Sequence, residues 1–295
     1  MVSEMKGGVR HLFMATAVIL ASGSITVFLA SIKTKTDMQR VELPSIGDVP
    51  EAYWQILAGE RIFFGHQSVG YNIIDGITDV MNEYDHIKLN IVETCGLEAP
   101  DRSVLAHAQV GQNQDPASKI EGFRSVMDAG VGDKADISFF KFCYVDVTRD
   151  SDPKKIFAGY SAAMEDLKRR YPRTRFVHVT VPLRSAPKGI KNNVKQSMKL
   201  LIGKSGVLDD NVMRERYNQL LRNAYSGKEP VFDLALTESV NPEGLKCYAV
   251  KNGGKVPVMA PEYTDDGGHL NSLGRKKVAE QLLIILAQTA HEPWE

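Results

Sequence analysis

The sequence predicts an α/β fold, with a single parallel sheet of about five strands, helices on both faces and an N-terminal segment able to span a membrane. Short apolar runs alternate with longer amphipathic stretches along most of the 295 residues. The stretches between runs are long enough for helical crossovers, which parallel strands require. Residues 12–32 carry no charge at all.

Those 21 residues, at a rise of about 1.5 Å each in a helix, would reach across a hydrocarbon core roughly 30 Å thick. Lys6 and Arg10 precede them and Lys33, Lys35 and Arg40 follow. The run is longer than a usual signal core and no A-x-A cleavage site follows it, so we expect an uncleaved single-pass anchor with the folded domain outside the cytoplasm. A cleaved signal, leaving a secreted or periplasmic protein, is the alternative. Residues 1–11 are then a short tail, and 33–50, polar and carrying Pro44 and Pro50, a linker. The folded domain is expected over 51–295.

Within it, residues 61–65, 87–92, 136–142, 175–181 and 230–235 read as strands, and 69–83, 117–129, 154–171, 209–225 and 272–290 as helices. The stretches Gly96–Pro116 and Leu183–Asp209 read as long loops, which are often functional. Lys+Arg and Asp+Glu number 36 each, and this balance argues against a nucleic-acid partner, which needs a basic excess on one face. Cys95, Cys143 and Cys247 lack metal-site spacing; their odd number permits one disulfide and a free thiol, or three thiols packed as small hydrophobes.

Ligands of such sheets bind beyond the carboxyl ends of the strands, so residues that follow strands directly are the site candidates. Ser68, in Gly65-His66-Gln67-Ser68-Val69-Gly70, follows the first strand and opens a helix. Helix N-termini favour developing negative charge, although serine there is also a common cap. Near the C-terminus, Asp266-Gly267-Gly268-His269-Leu270-Asn271 precedes the last helix. An Asp three residues ahead of a His on a glycine-bearing turn can accept the imidazole N–H and fix the tautomer that deprotonates a serine.

A serine after the first strand and D-x-x-H-L-N before the last helix together resemble the SGNH/GDSL hydrolases, over roughly residues 58–290. The resemblance implies a flavodoxin-like fold, Ser68 as nucleophile, His269 as base, Asp266 as its partner, and ester hydrolysis with no metal or organic cofactor. The Gly-Asp-Ser usual in that family is His66-Gln67-Ser68 here. The block-two glycine of the oxyanion hole maps to Gly111. No Asn stands at the block-three position after residues 136–142, where Cys143, Tyr144 and Asp146 stand, and Asn113 is the substitute donor. His66 is read as a structural or substrate-contacting residue, with a base role as the alternative, and His107 as a solvated loop residue able to touch substrate. Lys141 and Asp146 are expected to form an ion pair at the pocket rim.

The function implied is an O-acyl (acetyl) esterase or acyltransferase acting on envelope or extracellular carbohydrate, with lipid esters the rival substrate. A catalytically inactive carbohydrate-binding or scaffold protein of the same fold is the competing reading.

Overall fold

In the computed structural model, which describes residues 35–97, 103–186 and 206–293, the chain opens with an edge strand, β1 (Lys35–Arg40), and a short helix, α1 (Glu51–Leu57). The apolar segment 12–32 lies outside the described residues. Among those described, no helix is long and apolar enough to cross a membrane.

The strand β2 (Arg61–His66) runs into the amphipathic helix α2 (Val69–Glu83). Then come β3 (Ile91–Glu93), β4 (Val104–Gln109) and α3 (Pro116–Val126), whose first turn is set by Pro116 and capped by Asp115 accepting from the Ser118 amide. β5 (Ile137–Phe140) leads to α4 (Pro153–Arg170), which begins at the same kind of signal, Asp152 followed by Pro153. β6 (Arg175–Phe176) and β7 (His178–Val179) follow, separated by Val177 alone. The rest is α5 (Val207–Tyr225), β8 (Val231–Phe232), α6 (Leu234–Ser239), β9 (Leu245–Lys251), β10 (Gly254–Pro257) and α7 (Ser272–His291), the last capped by Asn271.

Five strands form a parallel sheet in the order β3-β4-β2-β5-β6, and β7 pairs in parallel with β8 beside it. Because side chains alternate across a strand, β2 feeds two cores. Ile62 and Phe64 join Ile73 and Ile77 of α2 and Val278, Leu282 and Leu286 of α7, whereas Phe63 joins Phe123 of α3, Met164 and Leu167 of α4 and Leu221 of α5. The sheet is therefore covered on both sides, the arrangement that parallel sheets need.

Four expectations change, the first being that only residues 91 and 92 of the stretch 87–92 are strand. Residues 104–109, placed inside a long loop, form β4 next to the central strand; they begin Val104-Leu105 but continue Ala-His-Ala-Gln, too weakly apolar to stand out. The tether at 33–50 contains β1, which pairs antiparallel with β9, and Gln281 Nε2 of α7 donates to the Pro44 carbonyl. Only residues 231–232 of the stretch 230–235 are strand, because Asp233 accepts from the Leu236 amide and starts α6. The hairpin of β9 and β10 turns on Asn252-Gly253, both at positive φ, as two-residue hairpin turns require.

Candidate active site

The nucleophile candidate sits where β2 ends and α2 begins. Ser68 has φ 40° and ψ −100°, a left-handed setting that costs a non-glycine residue free energy and that the surrounding packing must hold. Its hydroxyl caps no helix amide; it lies 2.7 Å from His269 Nε2. Gly70, two residues on, is needed as glycine, since a Cβ there would sit 2.2 Å from the His66 ring.

His269 stands on the turn before α7. Its Nδ1 lies 2.6 Å from Asp266 Oδ2, while Asp266 Oδ1 accepts the His269 and Gly268 amides at 2.8 Å each. Gly267, at φ 85°, makes the turn between them possible. Burial works against the charge on Asp266, but the bonds from the His269 ring and the two amides outweigh it and hold the carboxyl well below the usual carboxylate range. An ionised Asp266 accepts from Nδ1–H, so in the neutral tautomer the lone pair of the imidazole is on Nε2, the nitrogen that faces the serine hydroxyl. The structure thus brings Ser68, His269 and Asp266, which are 201 and 3 residues apart in pairs, into one hydrogen-bonded line.

Beside this line lies the loop after β4. Gln67, next to Ser68, donates through Nε2 to the Gly111 carbonyl at 2.9 Å and so ties that loop to the nucleophile turn. Gly111 has φ 59°, and a Cβ on it would come within 2.5 Å of the Lys119 backbone. The amides of Ser68 and Gly111 have no acceptor among the described residues. Asn113 is exposed, and its Oδ1 accepts from Lys119 Nζ at 2.9 Å, so its side-chain N–H donors are turned away from that bond.

Lys119 itself is wholly buried and forms an ion pair with Asp146 at 2.5 Å. Asp146 also accepts the Gln114 amide at 2.8 Å and the Cys143 amide at 2.6 Å, joining the loop after β4 to the segment after β5. The rim pair expected between Lys141 and Asp146 is not formed, because Lys119 takes the carboxylate in the interior. Lys141 is buried against the Phe142 carbonyl and Cys143 Sγ. Sequence reasoning missed Lys119; the available signal was its place four residues before Phe123, on the inward face of α3.

His66 takes the structural one of the roles read for it, whereas His107 departs from expectation. His66 is fully buried, with Nε2 at 3.0 Å from His107 Nδ1, and has no surface to offer a substrate. Burial, with the Lys141 charge nearby, pushes it down to about 3, so it stays neutral. His107 is a buried residue of β4 rather than a solvated loop residue, and burial lowers its pKa as well. Cys95, Cys143 and Cys247 are free thiols, the last two buried. A cleft of about 530 Å³ lined by Arg40, Glu42, Asn241 and Lys276 contains none of the three aligned residues; the line itself is open, with the His269 side chain 46% exposed.

No family model matches the chain, and no curated protein matches it. Among solved structures it is similar to a protein proposed to be a platelet activating factor from Streptococcus pneumonia, at 15% identity and TM-score 0.46, with 80% of this chain and 89% of that one covered. It is also similar to a proposed acylhydrolase from Bacteroides fragilis, at 13% identity and TM-score 0.45, covering 79% and 88%. A third is a proposed lipolytic protein of the G-D-S-L family from Desulfitobacterium hafniense, at 9% identity and TM-score 0.43, covering 77% and 99%. Likeness at this level carries no argument about chemistry, which rests on the residues of this chain.

Proposed function

We propose that the chain is an SGNH-type serine hydrolase acting on ester bonds, and the observation that carries this is the continuous line Ser68 Oγ, His269 Nε2, His269 Nδ1, Asp266 Oδ2 with separations of 2.7 and 2.6 Å. Ser68 Oγ attacks the acyl carbonyl carbon while its proton passes to His269 Nε2, and Asp266 stabilises the imidazolium. The carbonyl oxygen becomes an oxyanion, for which the Ser68 and Gly111 amides and Asn113 Nδ2 are the assigned donors. Collapse expels the alcohol, which takes the proton from His269 and leaves an acyl-serine. Water, or a sugar hydroxyl in the transferase variant, then attacks the acyl carbon while giving its proton to His269; the acyl–Oγ bond breaks and His269 returns that proton to Ser68 Oγ, releasing the acid or the new ester.

The substrate class proposed is an O-acylated, chiefly acetylated, envelope or extracellular carbohydrate, reached by a domain anchored through residues 12–32. Lipid esters are the alternative. The full-length protein is then expected to sediment with membranes and to need detergent for release.

The test is labelling by a fluorophosphonate, which reacts only with an activated serine, together with hydrolysis of short aryl esters. Ser68→Ala and His269→Ala should each cut turnover by about 10⁴-fold or more, and the double variant should lose little beyond either. Wild-type protein that neither labels nor hydrolyses, yet binds acetylated glycans as well as Ser68→Ala does, would favour the inactive binding protein instead.

A further inference from the structure

We infer that Arg184 forms an anion-binding subsite beside the Ser68–His269 centre, so that the ester substrate carries a carboxylate or phosphate group near the scissile bond; this rests on the hydrolase reading above. Arg184 lies just beyond β7, at the same end of the sheet as Ser68. Its guanidinium stacks over the Tyr144 ring with 5.3 Å to the centroid. The Tyr144 ring in turn lies against Gly268, where a Cβ would come within 3.0 Å of it, and meets the His269 ring edge-on at 6.0 Å. Arg184 is thus one aromatic ring away from the proposed base.

The position is built rather than incidental. The Asn211 side chain, fully buried, accepts from the Arg184 amide at 3.1 Å and donates to its carbonyl at 2.8 Å. Buried Arg214 donates to Asn211 Oδ1 at 2.6 Å and to the Tyr144 carbonyl at 2.8 Å. Buried Glu238 accepts the Leu183 amide at 2.8 Å. Arg184 Nε donates to the Gly267 carbonyl at 3.3 Å, fixing the guanidinium to the turn that carries Asp266 and His269.

What this apparatus holds in place is a cation with no anion among the described residues. Among the described residues Arg184 makes no ion pair, and its two terminal nitrogens have no acceptor, although the residue is half-buried. Asp266, on the adjoining turn, is committed to His269. A fork of free N–H donors fixed on an aromatic face is suited to bidentate capture of a carboxylate or phosphate. Interactions of this charge-assisted kind change binding by about 10- to 100-fold.

The experiment compares the full-length protein with Arg184→Gln and Arg184→Lys on two ester pairs: 4-nitrophenyl butyrate against 4-nitrophenyl hydrogen succinate, with the charge on the acyl side, and phenyl acetate against 3-acetoxybenzoate, with the charge on the alcohol side. In at least one pair the wild type should prefer the anionic ester by about tenfold or more in kcat/KM, and 0.5 M salt should shrink that preference. Arg184→Gln should abolish the ratio, and Arg184→Lys should keep part of it. Competition by succinate against inorganic phosphate separates the two anion classes. Binding of the same esters to Ser68→Ala, measured by calorimetry, is independent of turnover. Equal binding of charged and neutral esters there, or a ratio unchanged in Arg184→Gln, overturns the subsite, whereas charge-selective binding without hydrolysis by wild type overturns only the hydrolase reading.

Discussion

Lys119 has lost all contact with water, and its ammonium is held by two partners, the Asp146 carboxylate and Asn113 Oδ1. Taking a charge into the interior is costly and is offset only while its partner remains. Lys119→Met should therefore leave Asp146 buried and uncompensated and lower unfolding stability by about 3–5 kcal/mol, read from a denaturant titration. Asn113→Ala removes the second acceptor of that buried ammonium but leaves its ion pair, and should lower stability by the smaller amount of about 1.5–3 kcal/mol. If Asn113 Nδ2 is an oxyanion donor, the same change should lower kcat by about 100-fold or more, and full activity in Asn113→Ala would remove that residue from the hole. The residues of the Asp266–His269 turn were legible in the sequence because an Asp–His spacing of three on a glycine turn is a local pattern. Lys119, Arg184 and Arg214 were not, because their roles arise from segments far apart in the chain.

At the scale of elements, Ser68 and His269 meet because α2 and α7 lie side by side. Gly76 is the point of closest approach: a Cβ there would be 2.2 Å from the Arg275 carbonyl oxygen and 2.9 Å from Ala279 Cβ. Arg275 also clasps Asp79 at 2.7 Å, and Lys276 pairs with Glu83, so the two helices are pinned along one edge. Gly76→Ala improves helix propensity locally but must push backbone aside, and overpacking of this kind costs about 1–3 kcal/mol. The melting temperature should fall by several degrees. Because α2 starts at Ser68 and α7 follows His269, the rate of fluorophosphonate labelling per folded molecule should fall too; labelling unchanged at reduced stability would show that the helix pair does not set the alignment. These two helices were readable from their 3.6-residue periodicity, and β2, β5 and β6 from their apolar runs. What escaped was β4, whose alanines and histidine imitate a loop, and the antiparallel sheet of β1, β9 and β10, in which the β1–β9 pairing joins residues more than 200 positions apart.

Across the whole molecule, ionisable groups that pattern reading assigns to the surface are partly or fully buried, and they tie stability to pH. Glu238 is fully buried, with one oxygen accepting the Leu183 amide and Oε1 unpartnered. Burial pushes its carboxyl up to about 8, against the partial relief of the Leu183 bond and the Lys141 and Arg214 charges. Glu60, raised to about 7 by burial and the Asp136 charge, acts in the same direction. A carboxyl whose pKa is higher in the fold than in the unfolded chain stabilises fully below the unfolded value of about 4.5, and that contribution drains away as pH rises towards 8. Glu229 acts oppositely: its burial is outweighed by bonds from His178 and Lys168, its carboxyl is held at about 2, and its contribution is lost as pH falls from about 4.5 towards 2. Buried His66, held neutral down to about 3, opposes Glu238 and Glu60 by weakening the fold as pH falls below about 6.5, so the protein should be most stable near pH 6, with its melting temperature falling from there to about pH 8. Glu238→Gln keeps an acceptor for the Leu183 amide and removes the charge, so it should flatten the alkaline limb by up to about 1.4 kcal/mol per pH unit while leaving the acid limb unchanged. Thermal melts of both proteins from pH 4 to pH 9 measure this, and parallel curves above pH 6 would mean that Glu238 ionises in the folded protein as easily as it does in water.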